Sequence, residues 1–136
     1  MTLALWLLAA LAAAGEWSPL EVTATAYCPC TICCGVRGVG ITADGTDTRE
    51  EPYGIATGST ATLAYGTVVW IPPGAGYLDR SRASEDGRQF VVDDTGGLLR
   101  TNTRRTGVLH IDLRFKYHGS AQRFGRKSLT IFVWKD

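Results

Sequence analysis

Two aspartates in the C-terminal part of this chain each stand beside an apolar, β-prone run. Asp94 follows residues 90–92 (FVV), and Asp112 lies within residues 109–113 (LHIDL). A carboxyl group held against apolar neighbours loses hydration, so its pKa rises and it can act as a general acid near neutral pH. Turn formation is the alternative explanation for an Asp-Thr-Gly sequence, since Asp and Gly are common turn residues. The two aspartates are therefore candidates for acid–base chemistry.

The pattern that must position these aspartates is that of an all-β protein. Glycine is abundant, with 16 residues, and long helical periodicity is absent. Runs rich in β-formers stand at residues 22–27, 67–71, 90–92, 108–113 and 129–134. One short helical segment is predicted at residues 120–124, ended by Gly125, and residues 77–88 and 100–106 are predicted to be exposed loops. We therefore predict an all-β sandwich or barrel with one short helix.

The first fifteen residues are predicted to be a secretory signal peptide. An apolar stretch at residues 3–11 precedes three alanines that suit a cleavage site, and it is shorter than the roughly 20 residues that span a bilayer. An uncleaved N-terminal anchor is the alternative, because no Lys or Arg precedes the stretch. Residues 16–136 then form one domain. We expect it to be exported to the periplasm, cell envelope or extracellular space, monomeric, and without stable membrane insertion once the signal is cleaved.

Charge is distributed unevenly although the formal net charge is only +1. Residues 16–87 carry nine acidic and four basic side chains, whereas residues 88–136 carry ten basic and four acidic ones. A basic surface around an acid site favours an anionic polymer as substrate, and a merely solubilising surface is an equally weighted alternative. The sequence contains no phosphate-binding loop, no Ser-His-Asp signature and no nucleic-acid motif. We expect neither a cofactor nor a nucleic-acid partner.

The four cysteines all fall within seven residues, at Cys28, Cys30, Cys33 and Cys34. In an exported protein disulfides are favoured, with three possible pairings, and adjacent Cys33 and Cys34 would bond each other only with strain. A zinc or other thiolate–metal site is the rival interpretation. It fits less well because structural zinc sites usually draw their cysteines from two separated Cys-x-x-Cys arms. We therefore interpret the cysteines as a disulfide or thiol cluster and assign no metal.

A series of ordered motifs links the cysteine cluster to both aspartates. They stand at residues 25–30 (TAYCPC), 33–35 (CCG), 42–46 (TADGT), 65–71 (YGTVVWI), 94–97 (DTGG), 110–113 (HIDL) and 124–126 (FGR). Together they resemble the three-aspartate (3D) domain proteins, which are related to the catalytic part of membrane-bound lytic transglycosylase A. The resemblance covers residues 22–134 and implies a six-stranded double-psi β-barrel.

The resemblance also implies an activity on peptidoglycan glycan strands. It is cleavage of the β-1,4 bond between N-acetylmuramic acid and N-acetylglucosamine, with a 1,6-anhydro product. Glycoside hydrolases use two carboxylates, but here the sugar's C6 hydroxyl is the nucleophile, so one carboxyl group can make both proton transfers. The family's acid/base position falls on Asp112, and Asp94 would raise its pKa or stabilise the transition state. Substrate contacts are predicted at Arg100, Thr25, Tyr27, Thr42, Gly96 and Gly97.

Two departures from the family pattern affect this prediction. The family's first aspartate follows a Gly-x-Ala-x segment, but here residues 54–57 are followed by Gly58 and Ser59, with no acid. Asp93 or Asp44 is a candidate replacement. The link between the last two aspartates carries an insertion at residues 101–106, and Arg100 stands where a lysine is expected. A longer loop costs little free energy, so the aspartates can still converge.

The main alternative is a non-catalytic, carbohydrate-binding wall protein, similar to the expansin and barwin proteins that share this fold. The missing first aspartate favours it. An aspartic protease is disfavoured, because a second Asp-Thr/Ser-Gly is absent and Asp93 replaces the apolar residue expected before Asp94. His110 and His118 are interpreted as structural residues, with packing or orientation of neighbours as the role of His118.

Overall fold

The computed structural model describes residues 15–30, 40–72 and 88–136, which form six strands and two helices. The strands are β1 (Glu16–Tyr27), β2 (Gly54–Thr57), β3 (Val68–Ile71), β4 (Arg88–Thr95), β5 (Leu109–Arg114) and β6 (Lys127–Lys135). The helices are α1 (Gly97–Thr106) and α2 (His118–Phe124). None of the helices in these ranges has the length and apolarity that a membrane crossing needs.

The six strands close into a barrel in the order β1-β5-β2-β4-β3-β6. Two neighbouring pairs are parallel, β1 with β5 and β2 with β4, and the other pairings are antiparallel. Closure leaves no unpaired edge strand. The prediction of a small six-stranded all-β barrel is confirmed.

Successive side chains of β5 alternate between the apolar core of the barrel and an opposite face that carries polar residues. Leu109, Ile111 and Leu113 are buried among the apolar side chains that fill the barrel. The intervening residues point to the opposite face, because successive side chains of a strand alternate. His110, Asp112 and Arg114 therefore share one face of β5, and all three are buried or half-buried there beneath other parts of the chain.

The prediction of one helix is wrong, because residues 97–106 form α1 where an exposed loop was expected at residues 100–106. Threonine is a weak helix former, so the helix propensity of this segment is low. No residue of α1 is buried, so the segment also lacks the apolar stripe by which a helix is predicted from sequence. The sequence at the C-terminal end of α1 did carry features that are typical of a helix end. Gly107 adopts φ 73° and donates its N–H to Thr103 O, and Arg104 and Arg105 occupy the last turn, where cations and a left-handed glycine are favoured.

The five predicted strands are present; β1, β4 and β6 extend beyond their predicted ends, and β3 and β5 begin one residue later than predicted. β1 begins at Glu16 and β4 runs to Thr95, so Asp94 lies inside a strand. The four-residue strand β2 was not predicted as a strand, since its length gives no measurable alternation. The predicted signal peptide, Cys33 and Cys34, and most of the loop predicted at residues 77–88 lie outside the described residues.

Candidate active site

Strand register places the two aspartates on either side of one alanine. Ala56 in β2 pairs with Asp112 of β5 and with Asp94 of β4. A register shift between Ile55 and Ala56 takes the pairing from Val92 directly to Asp94. Two strand spacings, about 10 Å, therefore separate the two aspartate backbones, and the small Ala56 side chain leaves space between their carboxyl groups. This arrangement forms the floor of a cavity.

The cavity has a volume of about 390 Å³ and contains most of the predicted site. Six of the eight residues predicted for catalysis or substrate binding line it: Thr25, Tyr27, Asp94, Gly96, Gly97 and Asp112. Sequence reasoning did not assign several other wall residues to the site, among them Leu98, Leu99, Asn102, His110 and Arg126. The first three belong to α1, so they were missed together with that helix. Arg126 lies in the FGR motif, which carried part of the resemblance but was given no role in the site.

Asp112 has the environment of a proton-carrying acid. Its pKa is raised to about 6, chiefly by burial; the hydrogen bond from Thr25 lowers the pKa, and the negative charge of Asp94 makes a smaller raising contribution. That bond runs from Thr25 Oγ1 to Asp112 Oδ1 at 3.1 Å, across the parallel pairing of β1 with β5. The carboxyl group therefore exchanges its proton near the pH at which many enzymes work.

Asp94 accepts hydrogen bonds from two backbone donors. Its Oδ1 accepts hydrogen bonds from Ala43 N and Thr95 N, both at 2.9 Å. Ala43 belongs to a turn in which Thr42 Oγ1 donates to Asp44 Oδ1 at 2.8 Å. Thr42 is buried in this turn and does not appear in the cavity wall. Its role is to hold the backbone that orients Asp94.

A histidine and an arginine supply the polar wall opposite. His110 Nδ1 lies 2.9 Å from Val108 O and donates its N–H there, so that in the neutral imidazole Nε2 is the acceptor nitrogen. Arg126 Nη2 lies 3.4 Å from that Nε2 and can donate to it. His110 therefore positions the Arg126 guanidinium beside the cavity, consistent with the orienting role expected of a strand histidine.

Arg100 lies on the outer side of α1 rather than in the cavity wall. Its Nη1 donates to Thr95 Oγ1 at 3.0 Å, and Thr95 Oγ1 in turn donates to Thr57 O at 2.8 Å. Arg100 also lines a shallow surface depression with Arg104. This contact ties the first turn of α1 to the ends of β2 and β4, so Arg100 braces the wall that Leu98 and Asn102 form.

Gly58, where the motif resemblance would place a first aspartate, is enclosed by α1. A Cβ on Gly58 would stand 2.6 Å from Leu99 O and 2.9 Å from His110 O, both backbone atoms. Thr103 lies beside Gly58 as well. Its Oγ1 donates to Leu99 O at 2.7 Å and accepts from His110 N at 3.0 Å. No side chain of any kind fits at this position. Helix α1 and the end of β5 therefore occupy the space that an acidic side chain at Gly58 would need.

Neither candidate replacement for that acid reaches the cavity. Asp93 makes a two-bond ion pair with Arg114, with Oδ1 to Nη1 at 2.8 Å and Oδ2 to Nη2 at 2.6 Å. Asp44 accepts hydrogen bonds from Thr42 and Thr46 in its own turn. Both acids line a separate depression on the far side of β4. Among the described residues, Asp94 and Asp112 are the acids in this cavity.

Replacing Gly58 by alanine should destabilise the protein by about 2 to 3 kcal/mol, since overpacking against rigid backbone typically costs this much. Gly97→Ala is the matched control. A Cβ there meets only Arg100 Nη2, at 3.8 Å, and its free energy of unfolding should be unchanged or slightly higher. Urea unfolding of both variants measures the difference. Equal stability of the two variants would show that α1 does not pack on Gly58 as described.

The cavity thus combines an acid with a raised pKa, a second carboxyl group and a guanidinium in a partly apolar cleft. This set suits protonation of an oxygen leaving group while positive charge develops nearby, and it does not require a metal or a cofactor. Comparison of the chain with protein-family models and with curated proteins gives no match.

Proposed function

We propose that this protein is a peptidoglycan lytic transglycosylase of the 3D-domain type, with Asp112 as its single acid/base. The observation that carries the proposal is the half-buried Asp112, whose pKa is raised to about 6 on the floor of an open cavity. The motif resemblance supplies the substrate class. That resemblance includes the motifs that contain Asp94, Asp112 and Arg126, and these three residues line one cavity.

One carboxyl group suffices for the reaction. Protonated Asp112 gives its proton to the glycosidic oxygen as the bond to the anomeric carbon of N-acetylmuramic acid breaks. The resulting carboxylate then takes the proton of that sugar's C6 hydroxyl, whose oxygen closes the anhydro ring on the anomeric carbon. Asp112 ends protonated, and no water is consumed. Asp94 faces the same space and stabilises the positive charge of the oxocarbenium-like transition state.

The cavity's dimensions and walls suit a glycan strand. A volume of about 390 Å³ lies within the range of ligand-binding clefts. Leu98 is 74% exposed at the rim, which offers an apolar surface to the sugar-ring faces. Arg126 offers a cation to the carboxylates that peptidoglycan carries. The excess of basic residues after residue 87 favours the same anionic polymer.

Incubation with purified sacculi separates this function from the alternative of a non-catalytic wall-binding barrel. A transglycosylase releases soluble muropeptides, and a binding module sediments with the sacculi and releases none. The absence of an acid at Gly58 is the observation that favours the binding module. Sedimentation without release would overturn the proposed activity and select that module.

The pH profile of release follows from the Asp112 pKa. Protonated Asp112 is the active form, so kcat/KM should be highest below pH of about 6 and fall as the pH rises through that value. Thr25→Val removes a hydrogen bond that lowers this pKa, so the falling limb should move to higher pH. Rates on solubilised glycan strands across about pH 4 to 9 measure it. A limb that stays in place or moves to lower pH would contradict the role of Asp112 as the acid.

A further inference from the structure

Two cysteines and a histidine from distant parts of the chain meet at the end of β1. Cys28 and Cys30 follow the last residue of β1, and His118 is the first residue of α2. His118 Nδ1 lies 3.4 Å from Cys28 Sγ and 3.5 Å from Cys30 Sγ. One donor atom of each residue lies within 4.8 Å of the others. The fold therefore places an imidazole nitrogen beside the two sulfurs as a third possible metal ligand. The sequence analysis considered only the cysteine sulfurs as ligands.

These separations resemble the edges of a tetrahedral zinc site. Zinc–sulfur and zinc–nitrogen bonds of about 2.3 and 2.0 Å place a sulfur and a nitrogen ligand about 3.5 Å apart, close to both distances from His118. The two sulfurs lie 2.7 Å apart, and an ion between them would move them about 1 Å further apart. A Cys28–Cys30 disulfide gives no reason for an imidazole nitrogen equidistant from both sulfurs, whereas a shared ion does.

The surroundings favour a structural site rather than a reactive thiol. Cys28 is 1% exposed and belongs to the barrel core, while Cys30 and His118 are half-buried. An ion held there reaches solvent on one side and rests against the core on the other. Phe115 N donates to Tyr27 O at 2.8 Å immediately beside it, so the site ties the end of β1 to the segment that leads into α2.

We propose that Cys28, Cys30 and His118 are ligands of a divalent metal ion of the zinc class. Thiolate and imidazole donors together select a borderline or soft ion over magnesium or calcium. Binding replaces the thiol protons by the metal, so two protons are released per ion bound if both thiols start protonated. The ion would fix Tyr27, which lines the cavity, through its neighbour Cys28. This inference does not depend on the peptidoglycan activity.

The test uses the full chain purified under reducing conditions and given zinc alone. We expect one zinc per chain by elemental analysis, and a thiolate-to-metal charge-transfer band when cobalt replaces zinc. His118→Ala should weaken zinc binding at least about tenfold, as should Cys30→Ser. His110→Ala removes the chain's other histidine and should leave zinc affinity unchanged, with circular dichroism checking the fold of each variant.

Three results would overturn the proposal. The first is reduced wild-type protein that takes up no zinc. The second is a His118→Ala variant that binds zinc as tightly as the wild type. The third is a Cys28–Cys30 disulfide, found by peptide mass spectrometry, in protein purified with zinc and without oxidant. Any of these would return the cluster to the disulfide or thiol interpretation.

Discussion

Asp112→Asn should reduce the release of anhydromuropeptides by about 10² to 10⁴-fold, the usual contribution of a general acid–base group. Asparagine keeps the shape and can keep the Thr25 hydrogen bond, but it cannot deliver a proton. The rate of muropeptide release from purified sacculi measures the effect. Asp94→Asn should cause a smaller loss, because in the proposed mechanism Asp94 acts by charge and does not transfer a proton.

The stability of Asp112→Asn separates lost chemistry from lost folding. The Asp112 pKa is higher in the folded protein than its ordinary value of 3.8, so this group favours folding at low pH and disfavours it as the pH rises through about 6. Removing the carboxylate should therefore raise the free energy of unfolding above that pH, by about 1 to 2 kcal/mol after allowance for partial solvent exposure. An inactive and less stable variant would point to misfolding, and full activity would exclude Asp112 as the acid.

The buried ion pair should give the largest loss of stability in the described part of the chain. Arg114 is fully buried, Asp93 nearly so, and the two form a paired contact. Asp93→Asn leaves a buried guanidinium without its counter-charge, which typically costs about 3 to 5 kcal/mol. Asp47→Asn is the matched control, because its partner Arg49 is exposed and Asp47 is only half-buried, and surface ion pairs contribute about 0 to 1 kcal/mol.

A double replacement identifies the cause of that loss. Asp93→Leu with Arg114→Met removes both buried charges, so it should be less destabilised than Asp93→Leu alone. Urea unfolding of the single and double variants measures the coupling. Additive losses would mean that the ion pair is not what holds this face of β4 against β5. Gly54 packs directly against Asp93, so local packing would then be the explanation.

Much of the barrel could be predicted from local sequence. Runs such as those at residues 67–71 and 129–134 are apolar and β-branched because they fill the core, and these same residues form β3 and β6. Both aspartates could be chosen as candidates because each stands beside such a run, and their separate roles came from the motif series. Their common pairing with Ala56 could not be predicted, since it is a property of the closed barrel.

Other parts of the site depend on contacts that no local pattern encodes. Helix α1 has no buried side chain and packs mainly through its backbone and Thr103, so its sequence looks like a loop. The enclosure of Gly58 follows from that helix. His118 meets the cysteines through a sequence separation of about 90 residues, which a reading of adjacent residues cannot detect. Arg100 and Thr42 were assigned to substrate binding; neither lines the cavity, and each contacts a segment next to it.

The most direct test of the account is product analysis of sacculi digested in water enriched in heavy oxygen. A reaction that uses the sugar's own C6 hydroxyl predicts muropeptides ending in 1,6-anhydro-N-acetylmuramic acid, lighter by one water than hydrolysis products and free of heavy oxygen. Mass spectrometry distinguishes the two kinds of product in a single digest. Reducing-end products that carry heavy oxygen would contradict the account, because they require a water nucleophile and hence a second working carboxylate.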